Sequence, residues 1–510
     1  MKKTFLKTIT ILLCVSVVSY WGCKKSFIDR LPHGPTEQTY FSTEAEFSQG
    51  VFGIYAKLTD LYGWVTVDGG SGPDAQLMPV FLLEGDDITT NKSSEEFEQF
   101  GSLQPSSGRV GQFYKTLYQL IARSNIMLEK TAAVANGIYV TPNLKNYHTG
   151  EALFLRGFAY YYLWTYFGTA PLNTARVTST AQFTPPGTTG TQLLDQAIDD
   201  FTKAAALLPS TWDNSNKGRA TRNAAYGFLG KCLVFKASAT KSNTDFTAAI
   251  AAFNSISGAT LIPKYDDNFA FDTENNSESL FEFQASQAAG ENNIWLNNDF
   301  DNAIGNLSIS WNYYNGNELY GNSRFYATEK LLNSFDPTDP RRDLIFDAGD
   351  KTITKYVTRS GGPVLGYQPG GSIDNYRLLR YADILLLKAE AVLQSGGSAS
   401  EAIGYINQVR TRARNMVPGS ALPANYSTAE TNKATIMNWI MKERFLELAG
   451  EGQRWPDLRR WQMQGVITLD NAFFNSNTTT MSFQSPKHLY FPIPNIELDV
   501  NPNVQQNAGY

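Results

Sequence analysis

Cysteine and histidine are scarce in this 510-residue chain, three of each, and their positions exclude whole classes of chemistry. Cys14 and Cys23 lie near the start and Cys232 stands alone, so once the leader described below is removed with Cys14 and Cys23 is acylated, Cys232 has no partner for an internal disulfide. His33, His148 and His488 are far apart, and no Cys/His cluster with metal-ligand spacing exists. A nucleophile elbow, a zinc-binding HExxH and a phosphate-cradling glycine loop are all missing, so the sequence implies no cofactor. Basic residues are in deficit: 43 Lys and Arg against 48 Asp and Glu leave a net charge of −5. That balance argues against nucleic acid as a partner, because phosphates require a basic surface. Beyond residue 23 no apolar run is long enough to cross a bilayer.

What is present at the start is an export signal. Lys2, Lys3 and Lys7 precede an apolar run from Ile9 to Val18, and Gly22 stands before Cys23. The run is too short for a permanent membrane helix and reads as cleavable. A small residue before a cysteine is what a lipoprotein signal peptidase requires, so Cys23 is expected to be lipidated. At about 0.8 kcal/mol per buried methylene, two or more acyl chains hold stably. Tyr20 and Trp21 are bulkier than a strict lipobox prefers. Loss of three leader lysines takes the mature chain to −8.

After an extended tether, helical spacing recurs. It predicts helices over Thr43–Tyr62, Gly111–Val134, Leu144–Phe167, Gln192–Leu208, Arg219–Ser238, Phe246–Ile256, Asn375–Gln394, Ser400–Arg414 and Thr431–Leu448. Short strands are expected at Ser279–Gln284, Lys351–Val357 and Leu489–Ile493. Ala197, Phe201, Ala204 and Pro209 stand at the offsets of the second helix of a tetratricopeptide repeat. Ala249, Phe253 and Ile256 repeat the pattern, as do Ala402, Ile406 and Val409; ordinary hairpin packing explains it equally well. The stretch from about Gly258 to Ile373 is rich in Asn, Gly, Asp, Tyr and Trp and has little periodicity, and so long a loop region is usually functional.

Blocks along nearly the whole mature chain resemble the SusD/RagB family of surface nutrient-binding lipoproteins. Phe27-Ile28-Asp29 with Pro32, Tyr40-Phe41-Ser42-Thr43-Glu44 and Gly53-Ile54-Tyr55 are similar to its opening segment. Glu151-Ala152-Leu153-Phe154-Leu155-Arg156-Gly157 through Tyr166-Phe167-Gly168 resembles its aromatic helix, and Lys217-Gly218-Arg219-Ala220-Thr221 opens the next. The longest block runs from Asn375-Tyr376-Arg377 through Arg380-Tyr381-Ala382-Asp383 to Ala389-Glu390-Ala391. Ile406-Asn407-Gln408-Val409-Arg410, Glu443-Arg444 with Glu447, Arg454, Asp457-Leu458 and Trp461 follow it, and Phe491-Pro492-Ile493-Pro494 with Asn501-Pro502-Asn503 closes the series.

The resemblance implies a mainly α fold: tetratricopeptide-like helical hairpins form one scaffold, with a loop-rich ligand-binding half containing a few short strands. It divides the chain into a lipoprotein signal (1–22), a tether (23–42), an N-terminal helical part (43–257), the ligand-binding region (258–374) and a C-terminal helical part with its tail (375–510). The two helical parts pack as a single body. It also implies a glycan ligand, a SusC-like TonB-dependent barrel transporter as partner, and lipid anchoring at the outer membrane facing the exterior, though Lys24-Lys25 replace the acids that favour surface export.

A sugar ring presents a flat C–H face to an indole or phenol and hydroxyls at its rim to amides, and each stack should contribute about 0.5–1.5 kcal/mol. In the stretches matching the family's site the aromatic candidates are Trp64, Trp295, Trp311, Tyr313, Tyr314 and Tyr320, with Asn292, Asn293, Asn312 and Arg324 as hydrogen-bonding partners. Each Trp or Tyr could instead pack locally under a loop. Trp164, Trp439, Trp455 and Trp461 read as core. Arg380, Asp383 and Glu390, and the cluster Glu443, Arg444, Glu447, Glu451, Arg454 and Asp457, could hold a glycosidase acid pair. Arginines close in sequence favour ionised carboxylates and so ion pairs that lock the fold. Asp86 and Asp87 could join a pocket or bind calcium. The expected function is non-catalytic capture of an oligosaccharide or polysaccharide and its delivery to the barrel; a peptide-binding family member or a helical-repeat adaptor is the alternative, and a glycan-degrading enzyme the third.

Overall fold

Hydroxyl and amide side chains set most of the helix starts. The computed structural model describes residues 40–64, 77–91, 95–285, 304–307, 313–315, 318–320, 325–347, 349–357, 372–474 and 481–510. Thr43 and Glu46 form a capping box at α1 (Glu44–Tyr55), and Ser107 caps α2 (Gly108–Ala133). Helix α3 (Leu144–Tyr162) widens into a π turn over Leu163–Phe167, and α4 (Gln192–Leu207) follows. Thr221 and Ser242 cap α5 (Arg222–Thr240) and α6 (Asn243–Asn254). Further on come α7 (Tyr381–Gln394), α8 (Ala399–Asn415) capped by Ser398, α9 (Lys433–Glu447) capped by Asn432, and α10 (Arg454–Gln464). In each case the cap oxygen accepts an otherwise orphaned backbone N–H.

The helices pack as hairpins. Helix α3 lies against α4, α5 against α6 and α7 against α8, with α2 flanking α3, α4 flanking α5, and α6 flanking α7. The residues singled out by spacing sit in these contacts: Ala197, Phe201, Ala204, Ala249, Phe253, Ala389, Ala402, Ile406 and Val409 are all buried. Small residues allow the close approach. A Cβ on Gly157 would come within 3.3 Å of the Ala197 carbonyl, and one on Gly230 within 2.3 Å of the Phe253 ring.

Among the described residues, four antiparallel strand pairs gather the irregular middle: β1 (Gly63–Trp64) with β4 (Ile304–Leu307), β2 (Ile88–Thr89) with β7 (Tyr326–Ala327), β3 (Ser279–Phe283) with β8 (Tyr376–Arg380), and β5 (Tyr313–Asn315) with β6 (Glu318–Tyr320). Strand β8 corrects the expected helix start at Asn375. All five of its residues are buried, and pairing with β3 outweighs a local pattern that continues smoothly into α7. Lys351–Val357 is no strand and makes only isolated bridges at Thr352 and Ile353. At the tail, Lys487–Leu489 is a 3₁₀ turn, and the Phe491 N–H donates to the Tyr166 carbonyl. Helix α10 was not anticipated, because Pro456 hides it; proline is tolerated there since it falls in the first turn. Trp439 is half-buried instead of core, stacked 4.3 Å from a parallel Tyr426 ring.

A buried ion network ties the middle to the helices. Arg380 donates to Glu278 (2.8 Å), Glu447 (2.6 Å) and Glu451 (2.7 Å). Arg341 reaches Glu443 (2.6 Å), Glu447 (2.8 Å) and Asp339 (2.7 Å), while Arg412 binds Glu278 and Glu447. Lys355 donates to Glu451 at 2.5 Å. A second group joins Asp383 to Lys231 and Arg444, Asp457 to Arg444 and Arg460, and Glu390 to Arg460. Burial alone would raise the Glu447 and Asp383 carboxyls. The cations outweigh it and hold both well below the usual carboxylate range.

Five outcomes follow for stability. Glu447→Ala leaves three buried guanidiniums short of a partner and should lower unfolding free energy by about 3–5 kcal/mol. Asp199→Ala removes only an exposed pair with Lys203 and should change it by less than about 1 kcal/mol. Depressed carboxyls stabilise the fold above the unfolded value near pH 4 and lose that contribution as pH falls below it, so Tm should drop steeply on acidification below about pH 4. In helix α8, Gly404→Ala meets nothing within 4 Å and should raise Tm, gaining up to about 1 kcal/mol of helix propensity. Gly230→Ala should lower Tm. Thermal melts of the four variants check all of these.

Candidate functional site

Tyr62 is the anchor from which the site is built. Its ring stacks 5.0 Å from Phe81 and 5.5 Å from Tyr376, and its hydroxyl donates to that of Tyr162 at 2.9 Å. An aromatic side chain held by two stacked rings and at its tip fixes the backbone that follows. That backbone is β1, and its register pairs Gly63 with Leu307 and Trp64 with Ile304 across a bulge. The early loop and the irregular middle, far apart in sequence, are thereby stitched together. In the β5–β6 hairpin Tyr313 stands opposite Tyr320, Tyr314 opposite Leu319, and Asn315 opposite Glu318.

A second clasp lies at β2–β7. The Thr328 N–H donates to the Asp87 carbonyl at 3.0 Å and its hydroxyl to the Asp86 carbonyl at 2.8 Å. The Asp86 carboxylate is bound by Lys330 and Arg454, and its own value falls because these cations overcome burial. Asp87, buried beside it, behaves oppositely: burial pushes its carboxyl up to about 7, with Arg454 opposing the rise and Asp86 adding to it. Asn91 donates to the Tyr326 hydroxyl at 3.3 Å above the clasp. With Asp86 occupied by two cations, this pair serves the backbone junction. Among the described residues no group of three or more His, Cys, Asp or Glu is placed to hold a metal.

A family model described as the SusD family matches residues 237–510, more than half of the sequence. The chain belongs to the SusD family. A second model, described as starch-binding associating with outer membrane, matches residues 45–233. The chain is 25% identical to a SusD-like protein of Formosa agariphila over 99% of its own length and 100% of that protein. It is 23% identical to the starch-binding protein SusD of Bacteroides thetaiotaomicron, with 80% of each chain covered. A crystal structure of a SusD superfamily protein from Bacteroides vulgatus matches with a TM-score of 0.68 at 26% identity, covering 92% of this chain and 100% of that one.

Within this SusD family fold, the residues named from sequence fall into two groups. The backbones of Trp64, Tyr313, Tyr314 and Tyr320 lie on the paired strands, and β1–β4 joins the first of these to the region that holds the others. Trp295, Trp311, Asn292, Asn293, Asn312, Arg324 and the lipidation candidate Cys23 lie outside the described residues. Sequence reasoning marked Arg454 only as part of the charged cluster and left Lys330 unmarked; that both meet Asp86 from distant segments carries no local signal.

Asp87 yields a pH test. Its folded carboxyl keeps a proton to higher pH than an unfolded one at about 3.9. Its stabilisation is therefore complete below about pH 4 and is lost as pH rises through about 7. Asp87→Asn removes that loss, so its Tm advantage over the parent should widen from about pH 5 to about pH 8. An advantage independent of pH would contradict the assignment.

Proposed function

We infer that this protein is a non-catalytic receptor, lipid-anchored through Cys23 at the outer membrane, that captures an oligosaccharide and passes it to a TonB-dependent barrel transporter. The observation that carries this reading is the β1–β4 pairing, which brings the Trp64 backbone to the segment holding the aromatic β5–β6 hairpin. Trp64, Trp295, Trp311, Tyr313, Tyr314 and Tyr320 would then stack on sugar faces, while Asn292, Asn293 and Arg324 read the hydroxyls. The family descriptions and the starch-binding relative support a glycan as the ligand.

Two features weigh against the competing classes. A glycosidase needs one carboxyl able to give up a proton and a second facing the substrate, yet Asp383, Glu390, Glu443, Glu447, Glu451 and Asp457 are each bound by a cation inside the protein. A repeat adaptor needs an open helical groove, yet α5 is packed against α4, α6, α7, α10 and β3 and is buried along most of its length.

Affinity electrophoresis through gels containing soluble polysaccharides tests the reading. The parent protein should be retarded by at least one glycan and should release no new reducing ends from it. Trp295→Ala with Trp311→Ala should weaken retardation roughly tenfold or more, the combined effect of two lost stacks. Turnover, or retardation unchanged in the double variant, would overturn the reading.

A further inference from the structure

Trp212 belongs to none of the aromatic groups above. It lines a cleft of about 410 Å³ formed by the loop between α4 and α5, the chain leaving α6, and the start of β3. The volume falls within the range of small-molecule sites. The indole is fixed in place: its N–H donates to the Ala220 carbonyl at 2.9 Å, the Arg219 guanidinium lies 3.9 Å from the ring centroid, and Tyr147 meets it at 75°. Trp212 is half-buried and lines the cleft.

The rest of the lining combines Ser, Thr and Asn side chains with the apolar Ala259, Leu280 and Phe281, and carries two charged residues, Lys217 and Arg219. Asn223 donates to the Ser257 carbonyl at 2.7 Å and accepts from the Ser257 N–H at 3.2 Å. Asn275 exchanges a similar pair of bonds with Gln284, at 2.9 and 3.1 Å. Each of these amides is held in a fixed orientation yet uses one N–H and one lone pair, leaving one of each for a ligand. Arg219 contributes no free charge, because both oxygens of Glu151 take its guanidinium at 2.7 and 2.6 Å. Lys217, exposed at the rim, reaches the Glu274 carbonyl. A fixed ring, oriented amides and an arginine whose charge is compensated, with Lys217 at the exposed rim, match a ligand with an apolar face and hydroxyls that both donate and accept.

We propose that this cleft is a second saccharide site, taking one or two neutral sugar rings against Trp212, Asn223 and Asn275. It rests on the saccharide reading above but uses none of the residues assigned to that first site.

Fluorine NMR of fluorotryptophan-labelled protein separates the two sites, with resonances assigned by Trp212→Phe, Trp295→Phe and Trp311→Phe. Titration with short malto-, laminari-, cello- and xylo-oligosaccharides should shift the Trp212 signal saturably, and should still do so when Trp295 and Trp311 are both Ala. Asn223→Ala should weaken the Trp212 response roughly fivefold, about one hydrogen bond, without altering the Trp295 and Trp311 responses. A silent Trp212 alongside responsive Trp295 or Trp311 overturns the cleft and spares the loop site. The reverse pattern overturns the loop site alone, and silence of all three overturns both. A Trp212 response to uronic acids or peptides and not to neutral sugars overturns the ligand assignment.

Discussion

Glu447 is shared by three guanidiniums, those of Arg341, Arg380 and Arg412, and the arrangement of the whole molecule depends on that sharing. Each arginine comes from a different part of the chain: the irregular middle, the end of β8 and the end of α8. Glu278, Glu443 and Glu451 extend the same network to β3, α9 and the turn before α10. Ion pairs of this kind add little net stability once desolvation is counted. Their value is directional, because a guanidinium fork accepts a carboxylate in few orientations. The network therefore fixes where the loop-bearing half sits on the helices, and helix packing supplies most of the stability.

From that fixed base the chain positions the proposed binding surface with very little regular structure. The β3–β8 pair passes directly into α7, Tyr62 is held between Phe81 and Tyr376, and Tyr376 belongs to the same β8 strand whose last residue is Arg380. Rigidity at Arg380 is thus transmitted through Tyr376 and Tyr62 to β1, which carries Trp64. A receptor that grips a flat sugar face needs its rings ordered before binding, since ordering them afterwards weakens affinity. Short paired strands set on a helical body suit that need.

The helices were largely legible in the sequence because capping residues and apolar spacing are local signals. The motif acids and arginines were legible as fold-locking pairs, but their partners were not: Arg380 meets Glu278 and Glu451, and Asp383 meets Lys231, across distances that only the folded chain closes. Strand β8 was hidden because five buried residues before a helix look like its first turns. Residue type marked Trp64, Tyr313, Tyr314 and Tyr320 as candidates, while the pairing that relates their backbones came only from the structure. Trp212 gave no signal at all, being a single aromatic in an aperiodic loop whose meaning depends on Asn223 and Asn275 arriving from elsewhere.

The central claim, that an ion-locked helical body holds loops which grip a saccharide, is tested most directly by hydrogen–deuterium exchange with and without a bound oligosaccharide. Amides of Tyr376–Glu390 and Ile440–Glu451 should exchange slowly in both states, while those around Gly63–Trp64 and 304–320 should gain protection only when the sugar is present. Fast exchange in the network segments of the free protein, or sugar-induced protection confined to those segments, would contradict the account.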